Sequence, residues 1–504
     1  METGTKTAPR PAPRLPSLLE CGLFLLAAVL LMYGMLTPAG LDLNNQAKLL
    51  GATAPLFVLL CLVTAMARRL GHSFGELEGA MRAGIGLALP AVLILVVVGG
   101  LIGVWSGCGT ISTLIHYGLD VLSPGWFLPA TLVLCSVVSL ACGSSWTTAS
   151  TAGVALIGIG TTLGFDPAMV AGAVISGAYF GDKLSPLSDT TNLAPAIAGT
   201  NLFAHVHSML FTTLPAWLIS LGLFAWLGAD HASGGATQAA DIAAMQATLS
   251  SLHTISPWLL LPPVVVLVLA VTKRPALPSL VAGIAVAALL ELFVQRPAGT
   301  SFGTQLQVVC LQFLDGFTAT TDNKSVNDLL TGGGMSSMLG TILLITIATA
   351  MGGVLEKARY LEVLMTALQR LVKRPAGLVT ATICSSAGAN ALLSDQYLAI
   401  VLPGRLFRAA YPKFGLSPRV LSRSLEDAGT LTSPLVPWNS CGAFMAGTLG
   451  VLTVDYLPYA FLNLLNPLIA ILFAWIGFAQ FKYDPAKDGP LPAPASASSG
   501  PPTP

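Results

Sequence analysis

Residues 121–165 contain no Asp, Glu, Lys or Arg. A helix needs about 20 apolar residues to cross the roughly 30 Å hydrocarbon core of a bilayer, and this stretch is far longer. It is too long for one span, so the chain must turn back inside the membrane. Irregular backbone at that depth is tolerated only where it is buried in protein or lines a cavity. The stretch therefore predicts a polytopic membrane protein with broken helices.

The composition of the 504-residue chain supports a membrane location. Only 9% of the residues are charged and 54% are hydrophobic, whereas soluble domains carry about 25% charged residues. A formal net charge of +1 provides no basic surface, so we expect no nucleic-acid partner. Soluble enzymes, disordered proteins and DNA-binding proteins are excluded at this step.

Cysteine and histidine spacing gives no sign of a cofactor. The 8 cysteines are scattered without a CxxC pair, and the 6 histidines lack HExxH spacing, so we expect no resident metal. No Walker motif is present, which excludes ATP hydrolysis as an energy source. An intramembrane enzyme would need a metal triad or a nucleophile–base pair at depth, and no histidine lies in a central span. We therefore expect a protein that is not an enzyme and binds no cofactor.

The apolar stretches predict an all-α protein with about 12–14 transmembrane segments. Stretches long enough to cross alone are roughly 18–36, 49–67, 84–104, 126–142, 209–228, 257–272, 276–294, 335–355 and 456–479. Shorter, interrupted stretches are roughly 148–163, 167–199, 376–390, 394–404 and 418–451.

Basic residues predict the orientation, because they concentrate on the cytoplasmic side. Lys6, Arg10 and Arg14 place the N-terminus in the cytoplasm, and the C-terminal Lys482 and Lys487 return there. We expect a multi-pass protein of the cytoplasmic (inner) membrane. The predicted divisions are a disordered N-terminus (1–17), an extra first span (18–46), a first repeat (47–229), an external loop and connecting span (230–275), a second repeat (276–480) and a disordered C-terminus (481–504).

Weak internal matches predict that the two repeats have inverted topology. Gly103-Val104 recurs as Gly353-Val354, and the Ser-Pro-Leu sequence at 185–187 recurs at 433–435. The region after the first match lacks Lys and Arg, whereas its counterpart is rich in them, so equivalent ends lie on opposite sides of the membrane. Inverted repeats with broken helices are typical of secondary transporters, whose sites lie near the midplane.

A polar stretch at 181–192 is the first candidate site. Pro186 removes a backbone donor, so we expect an unwound break there. Oxygen ligands held by two half-helices suit a hard cation such as Na+. The candidate ligands are Asp182, Ser185, Asp189, Thr190 and Asn192. A cytoplasmic loop with solvated carboxylates is the alternative.

The second repeat offers an equivalent stretch at 425–440. Asp427 precedes a second Ser-Pro-Leu break that contains Ser433, and Asn439 follows it. Two breaks at equivalent positions point to the binding site more strongly than either alone. Asp395 lies between two short apolar runs, where a carboxylate is costly unless it is paired or functional.

Two further breaks predict re-entrant hairpins. The candidate residues at their tips are Ser145, Thr147, Thr148, Asn390 and Ser394. The alternative for these residues is ordinary helix packing, with hydroxyls bonded to their own backbone carbonyls.

The segment Gly177 to Ala194 (GAYFGDKLSPLSDTTNLA) closely resembles the signature of the NhaC-type Na+/H+ antiporter family. Residues 394–397 (SDQY), 403–405 (PGR), 421–423 (LSR), 425–427 (LED) and 433–439 (SPLVPWN) resemble its second-half motifs in the expected order. The resemblance covers roughly residues 47–478. It implies membership of the ion transporter superfamily, with inverted repeats and re-entrant hairpins.

The resemblance implies a secondary antiporter whose partners are Na+, H+ and membrane lipid. Proton and Na+ would compete for a poorly solvated carboxylate, with Asp182 and Asp189 as leading carriers and Asp427 or Asp395 as the second-repeat partner. The family also includes a malate/lactate antiporter and amino-acid carriers, so a coupled carrier of a small organic anion or amino acid stays open as the alternative. A homodimer also stays open.

Overall fold

The computed structural model describes residues 13–36, 45–229, 235–295 and 299–488. This part of the chain is helical and forms no β-strand, apart from isolated backbone bridges between Phe317 and Gly332 and between Leu416 and Lys482. The prediction of an all-α protein is confirmed. The α-helices are α1 (Leu18–Leu36), α2 (Asn45–Arg69), α3 (Phe74–Gly107), α4 (Thr110–Val121), α5 (Phe127–Cys142), α6 (Ser145–Thr148), α7 (Val154–Thr162), α8 (Pro167–Leu184), α9 (Asp189–Ala198), α10 (Leu202–Ala229), α11 (Gly235–Leu252), α12 (Leu261–Val271), α13 (Ala276–Leu290), α14 (Phe302–Asp315), α15 (Lys324–Leu330), α16 (Leu339–Lys357), α17 (Tyr360–Arg370), α18 (Pro375–Leu393), α19 (Gln396–Phe407), α20 (Ala410–Lys413), α21 (Pro418–Leu425), α22 (Ser440–Leu449), α23 (Thr453–Tyr456), α24 (Phe461–Ile476) and α25 (Pro485–Asp488).

Short helical turns of other types adjoin these helices. The 3₁₀ turns are Pro124–Trp126, Pro257–Leu260, Met335–Met338, Ser433–Leu435 and Leu457–Tyr459, and the π-helical turns are Ala149–Gly153, Glu291–Gln295 and Glu426–Thr430.

Six helical stretches within the described residues are long and apolar enough to cross a bilayer: Phe74–Gly107, Pro124–Cys142, Leu202–Ala229, Ala276–Gln295, Met335–Lys357 and Pro375–Leu393. Two bent pairs, each with a 93° angle, raise the number to 8 if each pair is one span. This is fewer than the 12–14 segments that the sequence predicts, because helices that end at a break are too short or too polar to qualify alone.

The chain leaves the helix at four breaks in the regions where the sequence predicts irregular backbone. α5 gives way to α6 at Gly143, which has a φ of +70°, and α18 gives way to α19 at Ser394, which has a φ of +60°. α8 ends at Leu184, and four residues separate it from the start of α9. The turn at Glu426–Thr430 is followed by irregular backbone up to α22. Positive φ is a strained conformation for a serine, and such strain is found most often at functional sites.

The helix caps of the two halves recur about 250 residues apart, in the same order. The left-handed caps at Gly109, Gly143 and Gly199 correspond to caps at Arg359, Ser394 and Gly450. Ser188 and Asn439, the N-caps of α9 and α22, keep the same spacing. These caps align Pro186 with Pro437, rather than with the proline of the second Ser-Pro-Leu sequence. The inverted topology of the two halves stays a prediction.

Residues 481–488, assigned to a disordered C-terminus, lie within the described part of the chain. Ser417 N donates to Phe481 O at 2.9 Å, and Arg423 Nη1 donates to Ala479 O at 2.9 Å. The segment after α24 is therefore fastened to α21. Residues 1–12 and 489–504, where we also expect disorder, lie outside the described residues.

Glycines allow α3 and α16 to cross with their backbones in contact. A Cβ at Gly84 would lie 2.2 Å from Thr349 O, and one at Gly353 would lie 2.2 Å from Ala80 O. Small residues at such crossings are how membrane helices reach van der Waals packing.

We expect Gly84→Ala to lower the stability of the protein by about 1–3 kcal/mol, because the new methyl group forces the helices apart. The matched control is Gly86→Ala in the same helix, since a Cβ at Gly86 meets no atom within 4 Å. The readout is the Tm of each variant purified in detergent. Equal Tm values for both variants would contradict the close crossing.

Candidate functional site

Asp182 is the acidic residue at the break between α8 and α9. It is 8% exposed. Ser145 Oγ donates to its Oδ2 and Ser188 Oγ donates to its Oδ1, each at 2.6 Å. In the part of the chain that the structure describes, no Lys, Arg or His nitrogen lies within 4.0 Å of this carboxylate. Three elements thus meet at a buried carboxylate that has hydroxyl partners but no cation.

Side chains tie down the loop between α8 and α9. Asn192 Nδ2 donates to the loop carbonyls Pro186 O at 2.9 Å and Ser188 O at 2.7 Å, while Ser185 Oγ links the loop to α5 by donating to Leu140 O at 2.9 Å. Broken backbone at membrane depth needs such partners. Ser185 and Asn192, which we expect among the ion ligands, therefore hold the loop in place in this conformation.

The other two predicted ligands of this stretch differ in burial. Thr190 is buried, and its Oγ1 lies 3.1 Å from Ser188 Oγ, one hydrogen bond away from Asp182. Asp189 occupies the first turn of α9 and is exposed. The structure thus places Thr190 beside the buried carboxylate and leaves Asp189 at the surface of the break.

Asp427 lies in a buried ion pair with Lys183, although 244 residues separate the two in the chain. Asn466 Nδ2 and Thr212 Oγ1 also donate to its Oδ1, at 2.7 and 3.0 Å. Arg423 Nε lies 3.8 Å from its Oδ2. All of these side chains are fully buried. In this structure the Asp427 carboxylate therefore lies beside two cationic side chains.

Glu426, next to Asp427 in the chain, is a second buried carboxylate of this region. It accepts a hydrogen bond from Thr430 Oγ1. In the described part of the chain, no Lys, Arg or His nitrogen lies within 4.0 Å of it. Because buried charges are costly unless they are compensated, Asp182 and Glu426 differ from Asp427, which lies beside Lys183 and Arg423.

Asparagines close the break before α22. Asn390 Nδ2 donates to Gly429 O at 2.7 Å and to Thr432 Oγ1 at 2.9 Å. Asn439 Nδ2 donates to Asn390 O at 3.1 Å, while its Oδ1 accepts from Cys441 N at 3.0 Å and caps α22. Both predicted site residues are thus engaged in holding the second break.

The remaining predicted residues of the second half lie around the start of α19. Asp395 Oδ1 accepts from Leu398 N at 2.9 Å, which makes Asp395 the N-cap of α19. Ser433 Oγ lies 3.4 Å from Gln396 Oε1. Ser394 is fully buried, and its Oγ has no hydrogen-bond partner among the described residues. Asp395 is 6% exposed and is stabilised by the end of its own helix.

The tip of the first hairpin places one hydroxyl at the carboxylate, one on the backbone and one on another hydroxyl. Ser145 reaches Asp182, whereas Thr148 Oγ1 donates to Ser144 O at 2.9 Å. Thr147 N and Thr147 Oγ1 both donate to Ser144 Oγ at 3.2 Å, so this residue takes part in the N-cap of α6. In this conformation Thr148 follows the helix-packing alternative.

Each break brings together a helix end with partial negative charge and one with partial positive charge. The N-caps at the four breaks are Ser144, Ser188, Asp395 and Asn439. Helix N-termini favour anions and exposed C-terminal carbonyls favour cations. Ser145 and Ser188, at the N-terminal ends of α6 and α9, are the residues whose hydroxyls donate to Asp182.

Sequence reasoning missed the residues that complete these clusters, among them Lys183, Ser188, Thr212, Arg423 and Asn466. Lys183 and Ser188 lie inside the stretch that was singled out, and a lysine within a membrane segment is itself a signal. The pairing of Thr212 and Asn466 with Asp427 depends on tertiary packing. Among the described residues, no group of three His, Cys, Asp or Glu side chains forms a metal centre.

Apolar spans, broken helices and buried charges between them define an integral, multi-pass membrane transport protein. The model of the Na+/H+ antiporter family matches residues 42–178 and 177–478. The chain belongs to this family.

Relatives in the family differ in what they carry. The Na+/H+ antiporter NhaC of Alkalihalophilus pseudofirmus is 43% identical over 429 residues, 85% of this chain and 91% of that protein. The malate-2H+/Na+-lactate antiporter of Bacillus subtilis is 37% identical, covering 92% of this chain and 96% of that protein. The arginine/ornithine antiporter ArcD of Halobacterium salinarum is 38% identical, covering 82% and 84%. The solved YdaH transporter of Alcanivorax borkumensis aligns with 92% of this chain and 99% of that chain at 16% identity, with a TM-score of 0.33, too low to establish a shared fold.

We expect Lys183→Ala to lower the free energy of unfolding by about 3–5 kcal/mol, because the buried Asp427 then loses the closer of its two cationic neighbours. Replacing both partners, as in Lys183→Met with Asp427→Leu, should recover only part of this loss, because Arg423 then stays buried without its carboxylate partner. The measurement is the Tm in detergent of both single variants and the double variant.

The matched control is the exposed ion pair between Arg359 and Glu362, whose side chains are 53% and 45% exposed. Arg359→Ala should cost less than about 1 kcal/mol, because water already solvates both groups. A loss for Lys183→Ala no larger than that of Arg359→Ala would contradict the importance of the buried pair.

Proposed function

We propose that this chain exchanges Na+ for H+ across a cytoplasmic membrane, with both termini in the cytoplasm. The observation that carries the proposal is the environment of Asp182. Its carboxylate is buried at a helix break, is held by two hydroxyls, and has no cationic side chain within 4.0 Å among the described residues. Such a group needs either a proton or a bound cation.

Competition for this carboxylate would couple the two fluxes. Burial in general favours the protonated form of a carboxylate, whereas a nearby Na+ favours the ionised form. When Na+ leaves toward one side, a proton takes its place, and the neutral carboxyl can then be exposed to the other side. Exchange follows without covalent chemistry and without ATP.

Hydroxyl and carbonyl oxygens near Asp182 would complete the ion shell. Ser145, Ser188 and Thr190 are close enough to turn their oxygens toward a bound Na+ once they give up their present bonds. In the second half, Ser433 and Asn439 lie at the equivalent break and would contribute in the same way. Asp395 and Asp427 are the second-half carboxylates, and we assign Asp427 to the fixed ion-pair cluster.

Transport of a small organic anion or amino acid is the second candidate, and it rests on a different observation. Arg423 is fully buried, yet its Nε and Nη2 have no hydrogen-bond partner among the described residues. Those N–H groups, with the N-termini of the half-helices, would suit a carboxylate substrate. The relatives that carry malate, lactate or arginine support this candidate.

Reconstituted vesicles with an imposed pH gradient separate the two candidates. We expect Na+ alone to collapse the gradient, because no organic substrate is needed for exchange at Asp182. The readout is the fluorescence of a pH-sensitive dye after addition of Na+, with K+ or choline as the control. A response that requires malate, lactate or an amino acid would contradict plain antiport and support the second candidate.

We expect Asp182→Asn to reduce Na+-driven proton exchange to the level of empty vesicles, because an amide neither ionises nor takes up a proton. Asp189→Asn should retain exchange with a weaker apparent affinity for Na+, since Asp189 contributes charge from an exposed position. The exposed loop residue Asp322 provides the matched control, and Asp322→Asn should transport like the unaltered protein. Full exchange by the Asp182→Asn variant would refute the site assignment.

A further inference from the structure

A cavity of about 580 Å³ is lined by residues of both halves of the molecule. Asp182 is not among the residues that line it. Its walls include Gly158 and Thr161 of α7, Thr341 of α16, and Gly447 and Thr448 of α22. Its walls also include Ser106 and Ile111, which belong to the region after Gly103-Val104 that lacks Lys and Arg. Because basic residues concentrate on the cytoplasmic side, we expect this part of the cavity to lie toward the external face.

The lining of the cavity is uncharged. Hydroxyl groups of Thr161, Ser337, Thr341 and Thr448 alternate with apolar side chains, and none of the lining residues is Asp, Glu, Lys, Arg or His. A hydrated monovalent cation can exchange hydrogen bonds between its water shell and hydroxyls without meeting a fixed positive charge. An organic anion would find no cationic side chain to balance it there.

Two helical runs lead from the breaks to this cavity. α22 begins at Ser440, just after its N-cap Asn439, and its Gly447 and Thr448 line the cavity. The run from α6 through the π turn to α7 begins beside Ser145, and its residues from Val154 onward also line the cavity. The cavity and the breaks are thus at opposite ends of the same two runs.

An aromatic stack lies between the two ends. The rings of Trp146 and Phe444 are parallel within 10°, with centroids 4.0 Å apart. Trp146 follows Ser145, the residue that donates to Asp182. At a rise of about 1.5 Å per residue, Phe444 lies roughly 4.5 Å beyond Cys441 and about 4.5 Å before Gly447 along α22. Phe444 is fully buried.

We propose that the cavity is the external entrance for a small hydrated cation and that the Trp146–Phe444 stack is the barrier between it and Asp182. The identity of the ion rests on the proposed cation exchange, whereas the path through the cavity does not. The two rings belong to different halves, so separation of the halves opens the barrier. Stacking is a weak interaction that permits such separation.

Cys441 provides a native probe of the barrier. It is 1% exposed, and its Sγ donates to Gln396 Oε1 at 2.7 Å. Along α22, Cys441 lies about one turn from Phe444, on the side away from the cavity. A membrane-impermeant maleimide is added to intact cells that express the full chain, and mass spectrometry follows the fraction of Cys441 that is modified. Inside-out vesicles give the rate from the other side.

We expect Phe444→Ala to raise the rate of external modification of Cys441 at least about tenfold, because thiol reactivity follows exposure. Trp146→Ala, which removes the other ring from the other half, should do the same. Leu449→Ala is the matched control: Leu449 is also a buried residue of α22 and lines the cavity, but it lies beyond the stack and should leave the rate unchanged. Detergent Tm values identify any variant that has lost its fold.

Addition of NaCl should slow modification in the Phe444→Ala protein, whereas choline chloride and sodium-free lactate should not. Unchanged external modification in both folded ring variants would overturn the barrier. Faster modification only in inside-out vesicles would overturn the assignment of the cavity as the external entrance. Protection by lactate but not by Na+ would overturn the cation as its occupant. The labelling rates do not depend on Na+/H+ exchange, so they test the barrier even if the vesicle experiment shows no exchange.

Discussion

A backbone that leaves the helix inside a bilayer must find hydrogen-bond partners within the protein, and the four breaks of this chain depend on that constraint. Asn192 binds a carbonyl of the break between α8 and α9, and Ser185 joins that break to α5. Asn390 binds a carbonyl of the π turn at Glu426–Thr430, and Asn439 binds one of α18. These side chains fix where the half-helices begin and end. The position of each half-helix end in turn determines which oxygens and which partial charges surround Asp182.

Pairing with cationic side chains then separates the buried carboxylates of the site. Asp427 lies beside Lys183 and Arg423, and all three side chains are buried. Asp182 adjoins this set through Lys183, its neighbour in the chain, but has only hydroxyl partners. A protein that carries a cation needs a carboxylate that its own cations do not already occupy, and this arrangement supplies one.

The membrane class, the all-α fold and the approximate positions of the breaks could be predicted because they depend on local properties: absence of charge, length of apolar runs, and prolines such as Pro186. Contacts across the fold could not. Nothing local shows that Lys183 pairs with Asp427, or that Asp182 is buried while Asp189 is exposed. The match between residues 185–187 and 433–435 was also misleading as an alignment, because the helix caps pair Pro186 with Pro437. A match of three residues is weaker evidence for aligning the two halves than helix caps that recur at a nearly constant spacing.

The nearly constant spacing between corresponding caps has a consequence for how the chain tolerates change in length. From Gly109 to Gly199 in one half, and from Arg359 to Gly450 in the other, the two segments match almost residue for residue in their turns. Loop length is normally the easiest property of a protein to alter, yet here the intervals between caps coincide in both halves. An added residue between two of these caps would therefore displace one half-helix end relative to its counterpart in the other half.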